Sequence, residues 1–459
     1  MNIVLLSGGS GKRLSPLSND IRSKQFIKIF RDADGEYVSM VQRMYSMLLS
    51  VDPDADITIA TSKSQVSSIN NQIGGIRPDG FESGSKAKEI GISVEPCRRD
   101  TFPAIALAAS YLYHVRGVRE SEPVIVCPID PYVEKDYFES LRLLSDHVAG
   151  TDVNLSLMGI EPTYPSEKYG YVIPEDKSLF AGVSSFKEKP DKEMAQKYID
   201  QGALWNAGVF GFRLKYMLEK AEEILGTSDY KTLFDTYDTL TKISFDYAVG
   251  EKEPSIDVLR FAGEWKDLGT WNTLTEAMDE AAIGQAVISE SCNNVHILNE
   301  LDMPVLAMGC ENLVIAASPE GILVSDKEQS SYIKPYVDAM DGQVKYAEKS
   351  WGEFRVIDVE ENSLTIRVTL NAGHEMNYHA HEHRREIWTV TDGTGAVCVD
   401  GDVRNVAPGD VIEIPAGVKH TVHAFDTLRI MEVQLGTDIR TYDKIKYEIN
   451  RGWYTETQP

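Results

Sequence analysis

A chain of 459 residues is longer than one hydrophobic core sustains, so two or three domains are expected, and a content of 42% hydrophobic and 25% charged residues is that of ordinary globular protein. The 71 acidic residues against 46 basic ones leave a formal charge of -25, which repels nucleic acid and anionic membrane surfaces, so neither is expected as a partner. No run approaches the roughly 18 apolar residues of a membrane span, the start MNIVLLSGGSGKRLSP lacks the basic and cleavage regions of a signal peptide, and Cys97, Cys127, Cys292, Cys310 and Cys398 show no paired spacing; a cytoplasmic protein with reduced thiols is expected.

The first predicted element is NIVLLS, residues 2–7, a short apolar run that ends in glycines, as a buried parallel strand feeding a phosphate loop does. Similar runs recur as ITIAT (57–61), PVIVCPID (123–130) and VNLSLMGI (153–160). Between them, SMVQRMYSMLLS (39–50) and TFPAIALAASYLYHV (101–115) place apolar residues three and four apart and read as helices. Alternating strands and helices predict a Rossmann-like α/β domain over 1–280 with a largely parallel sheet. Over 285–345 the runs NVHIL, PVLAMG, LVIAAS and GILVSD, broken by Asn, Gly, Pro and Asp, predict a small β-rich connector. Over 350–445 the pattern is all-β, with turns at Asp392-Gly393, Asp400-Gly401 and Pro408-Gly409, and predicts a small barrel or sandwich.

Chemistry begins where the first strand ends, in Leu6-Ser-Gly-Gly-Ser-Gly-Lys-Arg-Leu-Ser-Pro-Leu17 and Ser23-Lys24-Gln25-Phe26. Gly8, Gly9 and Gly11 let backbone N–H groups close around phosphate oxygens, and Lys12, Arg13 and Lys24 add positive charge. The string lacks the GK[ST] of a Walker loop and the GxGxxG with an acidic ribose ligand of a dinucleotide site. It resembles the signature of nucleotide-sugar pyrophosphorylases, GGxGxRLxPL followed by PKxF, and among these is most similar to mannose-1-phosphate guanylyltransferases. Further segments match in order: Glu95-Pro-Cys-Arg-Arg-Asp-Thr-Phe-Pro-Ala-Ile-Ala106, Pro128-Ile-Asp130, Glu161-Pro-Thr-Tyr-Pro165 with Tyr169-Gly-Tyr171, Phe186-Lys-Glu-Lys-Pro-Asp191, Trp205-Asn-Ala-Gly-Val-Phe210, Ser244-Phe-Asp-Tyr-Ala248 and Trp265-Lys-Asp-Leu-Gly-Thr-Trp271.

In such a reaction a sugar-1-phosphate oxygen attacks the α-phosphorus of a nucleoside triphosphate in line, and cations must offset the repulsion of two anions. The resemblance implies that Arg13 and Lys24 clamp phosphates and that Asp130 and Asp267, hard carboxylates, hold Mg2+. It implies nucleotide contacts from Leu6, Gly8, Gly9, Gly11, Arg99 and Asp100, and a sugar pocket lined by Gly170, Glu188 and Asn206. The sequence departs from the guanylyltransferase pattern at Ser15, where Trp is usual, at Ser23, where Pro is usual, and at Asp100, where Asn is usual. A carboxylate accepts hydrogen bonds from guanine N1–H and N2–H, so GTP is still permitted; the resemblance implies GTP and mannose 1-phosphate as the favoured pair, with cytidylyl or uridylyl transfer, or another sugar, as the alternative.

Six of nine histidines fall between 374 and 423: His374, His379, His381, His383, His420 and His423. The spacing from Gly373 through His379, His381 and Glu386 to Gly393, and from Gly409 through Pro415 and Gly417 to His420, resembles both motifs of the cupin fold. The resemblance implies a barrel in which His379, His381, Glu386 and His420 hold one divalent transition metal, Zn being favoured, with His383 and His423 as supporting groups. A cupin fused to a guanylyltransferase resembles the bifunctional phosphomannose isomerase/guanylyltransferase family, whose QxHxHRxExW pattern is echoed by His379-Ala-His-Glu-His-Arg-Arg-Glu-Ile-Trp388, with His379 in place of Gln. Aldose–ketose isomerisation in the cupin is therefore an open expectation, with phosphate held by Arg384, Arg385 or Lys419. A cupin-type sugar-binding regulator is the rival reading, and a homo-oligomer is left open.

Overall fold

The computed structural model describes residues 1–9, 12–19, 21–76, 89–340, 344–437, 439, 443–449 and 452–454. Its contacts divide the chain into two units, one of Met1–Gly9, Gln25–Val66 and Ile73–Gly269, the other of Ser10–Lys24, Ser67–Gln72 and Thr270–Pro459.

The first unit is built on a nine-stranded sheet. Asn2–Ser7 forms as its apolar run predicts, and pairs in parallel with Asp56–Ser62 on one side and Pro123–Pro128 on the other. Met40–Val51 and Thr101–His114 are helices, the first started by a capping box in which Ser39 and Gln42 satisfy each other's backbone N–H. The expectation of a largely parallel sheet needs correction. Leu204–Arg213 runs antiparallel to both Pro123–Pro128 and Leu155–Ile160, and Phe180–Lys187 runs antiparallel to Tyr171–Pro174 and Ile256–Phe261. The connection from Pro174 to Phe180 is too short for a crossover helix, so these two strands return as a hairpin. The core under the sheet joins Val4, Val126, Leu157, Phe210, Phe212 and Phe245, all nearly inaccessible to solvent.

In the second unit, short strands from 282 to 318 stack in parallel: Ala282 lies opposite Ile297, Ile297 opposite Ile315, and Ala286 opposite Val305. Each turn of chain lays a strand on the one before it, a small parallel coil whose interior holds Val295, Ile297, Ala307 and Ile315. The remainder is an antiparallel double sheet of six and five strands. Trp388, Val390, Leu364, Val368, Val422 and Ile430 fill the space between the sheets. The tight turn Asp400-Gly401 has φ of 52° and 90°, the pair of left-handed residues that a two-residue hairpin between Gly395–Val399 and Asp402–Val406 requires.

Candidate functional site

Two groups of polar side chains stand apart from the core, one at the sheet of the first unit and one inside the barrel of the second. In the first unit, Asp130 follows the strand Pro123–Pro128, and Asp267 ends the strand Trp265–Asp267. The short ladder between Trp265–Asp267 and Pro131–Val133 sets Asp267 opposite Pro131, next to Asp130 in the chain. Both carboxylates are half-buried. A pair of hard oxygen donors brought to neighbouring ladder positions fits a divalent cation such as Mg2+.

Beside them runs an aromatic wall: Tyr169 packs against Trp205 at 4.9 Å and Trp265 at 5.6 Å between ring centroids, and Tyr164 against Trp205 at 5.0 Å. Burial, then the charge of Asp267, pushes the Tyr169 hydroxyl far above its usual range, so it stays protonated as a donor. The next residue is Gly170. A Cβ there would meet Glu188 Oε2 at 2.4 Å, Phe186 at 3.3 Å and Asn206 Cβ at 3.4 Å, so the three expected sugar residues Gly170, Glu188 and Asn206 meet in one place. Asn206 N donates to Gly170 O at 2.8 Å, and its Nδ2 donates to Asp246 Oδ1 at 2.7 Å. Lys189 pairs with Glu188, whose side chain is 5% exposed. Burial and then the Glu188 charge push the Asp246 carboxyl up to about 6. Asp246 is absent from the residues singled out in the sequence, although it lies in the matching segment Ser244–Ala248.

The residues expected to contact nucleotide are distributed. Leu6 is the half-buried last residue but one of the first strand, while Gly8 and Gly9 are exposed, with open space where a Cβ would stand. Gly11 lies outside the described residues. Ser7, Gln25, Thr61 and Gln65 form a buried network below this turn, with Gln25 Nε2 donating to Ser7 Oγ at 2.9 Å and Thr61 Oγ1 to Gln65 Oε1 at 2.9 Å. Arg99 donates to the Tyr237 carbonyl at 3.3 Å. Asp100 caps the helix Thr101–His114 by accepting from Thr101 N at 2.9 Å, in a left-handed conformation with φ of 70°.

Arg13 and Lys24 belong to the second unit, Arg13 exposed on the turn Lys12–Leu14 and Lys24 half-buried at the start of Lys24–Phe26. Within that unit the loop is firmly held. Arg22 pairs with Glu300 at 2.8 Å, Ser318 Oγ donates to Pro16 O at 2.6 Å, Trp271 Nε1 donates to Ser15 O at 3.3 Å, and Lys12 pairs with Asp338 at 3.2 Å.

Inside the barrel lies a cavity of about 290 Å3 whose lining includes His379, His381, Arg384, Glu432, Lys444 and Lys446. His379 and His420 face each other across the antiparallel pairing, and ligand nitrogens of His379, His381 and His420 all fall within 4.8 Å of one another. Each Nδ1 meets a backbone carbonyl: His379 with Asn377 at 2.6 Å, His420 with Val418 at 3.0 Å, His381 with Asp443. A carbonyl only accepts, so the proton sits on Nδ1 and the Nε2 lone pairs are left to converge. Burial, then neighbouring positive charge, lowers His379 to about 2, and burial lowers His381 to about 4, so these rings are neutral at pH 7.

Glu386 stands beside this triad, its Oε1 3.1 Å from His381 Nε2 and its Oε2 3.3 Å from His420 Nε2, the latter without hydrogen-bond geometry. Burial alone would raise the Glu386 carboxyl, but His420, His381 and Arg384 outweigh it and hold it well below the carboxylate range. Arg384 Nη2 donates to His381 Nε2 at 3.1 Å and so bridges that pair, whereas among the described residues His420 Nε2 faces Glu386 Oε2 with no donor between, an acceptor pair that a divalent metal ion fits. Glu386 also accepts from Arg384 Nε at 3.0 Å and Trp388 Nε1 at 3.1 Å.

Of the three cations expected to hold phosphate, only Arg384 lines the cavity. Arg385 is exposed, and Lys419 lies over the Tyr447 ring at 4.2 Å. Lys349, Lys444 and Lys446 line it instead; they stand outside the two histidine motifs, and no spacing in the sequence marks them. His383 is exposed, and His423 stacks on Tyr454 at 3.6 Å.

Residues 2–283 match the nucleotidyl transferase family and residues 366–433 the cupin domain. The chain is 28% identical to a mannose-1-phosphate guanylyltransferase of Escherichia coli K12, over 97% of each chain. It is also 28% identical to the xanthan biosynthesis protein XanB of Xanthomonas campestris, over 98% of each. A solved structure described as a mannose-1-phosphate geranyltransferase from Thermus thermophilus superposes with a TM-score of 0.58 at 25% identity, covering 73% of this chain and 98% of that one.

Proposed function

The chain belongs to the nucleotidyl transferase family, and on that premise we propose that it joins a nucleoside triphosphate to a hexose 1-phosphate, GTP and mannose 1-phosphate being the preferred pair. The observation that carries this is the convergence of Gly170, Glu188 and Asn206 into one pocket beside the aspartate pair Asp130 and Asp267. The names of the full-length relatives in Escherichia and in other bacteria support the same substrates.

In the reaction a phosphate oxygen of the sugar forms a bond to the α-phosphorus as the bond from that phosphorus to the bridging oxygen breaks, and pyrophosphate leaves with the electron pair. Glu188 and Asn206 orient the sugar through its hydroxyls, and the Tyr169, Trp205 and Trp265 rings give its ring carbons an apolar wall. Arg13 and Lys24 supply positive charge for the phosphates, and Asp130 with Asp267 would hold Mg2+, which when bound would neutralise charge on the α-phosphate and the leaving pyrophosphate. The test is pyrophosphate release from GTP and mannose 1-phosphate. Asp130→Asn should lower turnover at least about a hundredfold, as loss of one electrostatic stabiliser does; near wild-type activity would sink the assignment. A preference for CTP or UTP over GTP by more than about tenfold would remove guanine and leave the reaction class.

A second reading concerns the barrel. Its cavity, with three converging imidazoles and four cationic side chains, Lys349, Arg384, Lys444 and Lys446, supports binding of a sugar phosphate and isomerisation between its aldose and ketose forms. His379, His381 and His420, with Glu386, would hold one divalent transition metal, which when bound polarises a substrate carbonyl. Metal analysis of protein purified without chelator should give about one ion per chain, lost in His381→Ala and His420→Ala. Mannose 6-phosphate should yield fructose 6-phosphate; a metal-loaded barrel without that conversion would have only a binding role.

A further inference from the structure

The Asn206 side chain is an amide whose two ends differ, one accepting and one donating, and its orientation decides which sugar hydroxyl it can read. Two neighbours fix that orientation from opposite sides. Gly208 N, which can only donate, sits 3.1 Å from Asn206 Oδ1. Asp246 Oδ1, which as a carboxylate can only accept, sits 2.7 Å from Asn206 Nδ2. Reversing the amide would set donor against donor at one end and acceptor against acceptor at the other.

Asp246 is itself held in place. It opens a single π-helical turn, Asp246–Gly250, closed by Glu251 N donating to Asp246 O at 2.8 Å, and such rare turns are frequent at functional sites. The preceding residue, Phe245, is fully buried and packs on Phe210 at 4.3 Å, while its backbone N donates to Thr101 Oγ1 at 2.8 Å. Across the pocket, Glu251 Oε1 accepts from Glu188 N at 3.0 Å, so the same short segment sets both the residue that orients Asn206 and the backbone of Glu188.

We propose that Asp246 is a positioning residue of the sugar pocket: by locking the Asn206 amide in one orientation it lets Glu188 and Asn206 read neighbouring hydroxyls of the hexose as a fixed pattern, and so sets discrimination between epimers. This rests on the hexose 1-phosphate reading of the pocket. Asp246 acts through Asn206 and need not touch the sugar. Discrimination of this kind comes from leaving a polar group unpaired with the wrong substrate, and it is lost when the reading group is free to turn over.

The experiment compares Asp246→Ala and Asp246→Asn with the wild type, using mannose 1-phosphate and its 2-epimer glucose 1-phosphate with saturating GTP. Asp246→Ala frees one end of the Asn206 amide. It should raise KM for mannose 1-phosphate about tenfold and shrink the ratio of kcat/KM between the two sugars by a similar factor, while KM for GTP stays within about twofold. Asp246→Asn keeps an oxygen that accepts from Asn206 Nδ2, so it should restore both sugar constants to within about threefold. Wild-type selectivity in Asp246→Ala overturns the proposal, as does an Asp246→Asn protein that falls as far as Asp246→Ala, or a parallel rise in KM for GTP. Calorimetric binding of mannose 1-phosphate to the three proteins separates this from the parent reading. Binding weakened only in Asp246→Ala supports the lock even if no nucleotide sugar forms, whereas turnover with unchanged sugar binding in all three rejects the lock and keeps the reaction.

Discussion

Single residues carry the sharpest consequences because their surroundings leave so little room. At Gly170 a methyl group would come within 2.4 Å of Glu188 Oε2, so Gly170→Ala should displace the Glu188 carboxylate. We expect KM for the sugar phosphate to rise about ten- to a hundredfold, a range typical of misplacing a binding group by about 1 Å, with KM for the nucleotide unchanged; steady-state kinetics in each substrate reads this directly. Asp246 makes a second, independent prediction about stability. Its carboxyl is raised from 3.8 to about 6, by burial and then by Glu188, against the opposing pull of Lys189 and Asn206. A carboxyl that holds its proton more tightly when folded contributes stability that is fully present below its unfolded value and lost as pH rises through the folded one. Unfolding free energies of wild type and Asp246→Asn from denaturant titration should therefore converge near pH 4 and separate by up to about 3 kcal/mol on reaching pH 7, in favour of the variant. That Gly170, Glu188 and Asn206 stand out is legible in ordered motifs; Asp246 sits in such a motif too, but its contact with Asn206, 40 positions away, shows only in the folded chain.

At the level of elements, the helix Thr101–His114 gives Asp100, a residue expected to contact nucleotide, a structural role as its cap. Asp100 takes φ of 70° and ψ of -177°, a conformation nearly confined to glycine, and its carboxylate caps Thr101 N. Asp100→Ala loses the cap and keeps the strain, which should cost about 1–2 kcal/mol; Asp100→Gly loses the cap but relieves the strain and should cost less. Thermal unfolding of the two variants checks the order, and an alanine variant as stable as the glycine one would show that the strain is not felt. Elements with strong apolar runs, such as Asn2–Ser7 and Met40–Val51, are readable within a residue or two. The antiparallel half of the sheet is not, because local apolar content is blind to strand direction, and only the length of the Pro174–Phe180 connection reveals it. In the barrel, the histidine spacing locates the triad, but Lys349, Lys444 and Lys446 reach the cavity from strands and segments that carry no motif.

For the whole molecule, two compact units with separate cores imply that unfolding need not be a single transition. The histidine triad proposed to hold a metal belongs wholly to the second unit, and a ligand that binds only the folded form stabilises it by mass action. Chelation should accordingly lower the melting transition of the second unit by several degrees and leave that of the first in place; calorimetry with and without chelator reads both, and equal shifts in the two would place the ion elsewhere. The Arg22 guanidinium is almost fully buried against Glu300 in that same unit, so Glu300→Ala should cost about 3–5 kcal/mol by stranding the charge. That pairing bears on any attempt to divide the gene. The transferase match ends at residue 283, which invites a cut there. Yet the loop bearing Arg13 and Lys24 finds its supports at Glu300, Ser318 and Asp338, all beyond the cut. A half-gene ending at 283 would encode every motif of nucleotidyl transfer and lack much of the scaffolding for Arg13 and Lys24, the two cations proposed to meet phosphate, so the border drawn by sequence similarity is not the border of the contacts that hold this loop.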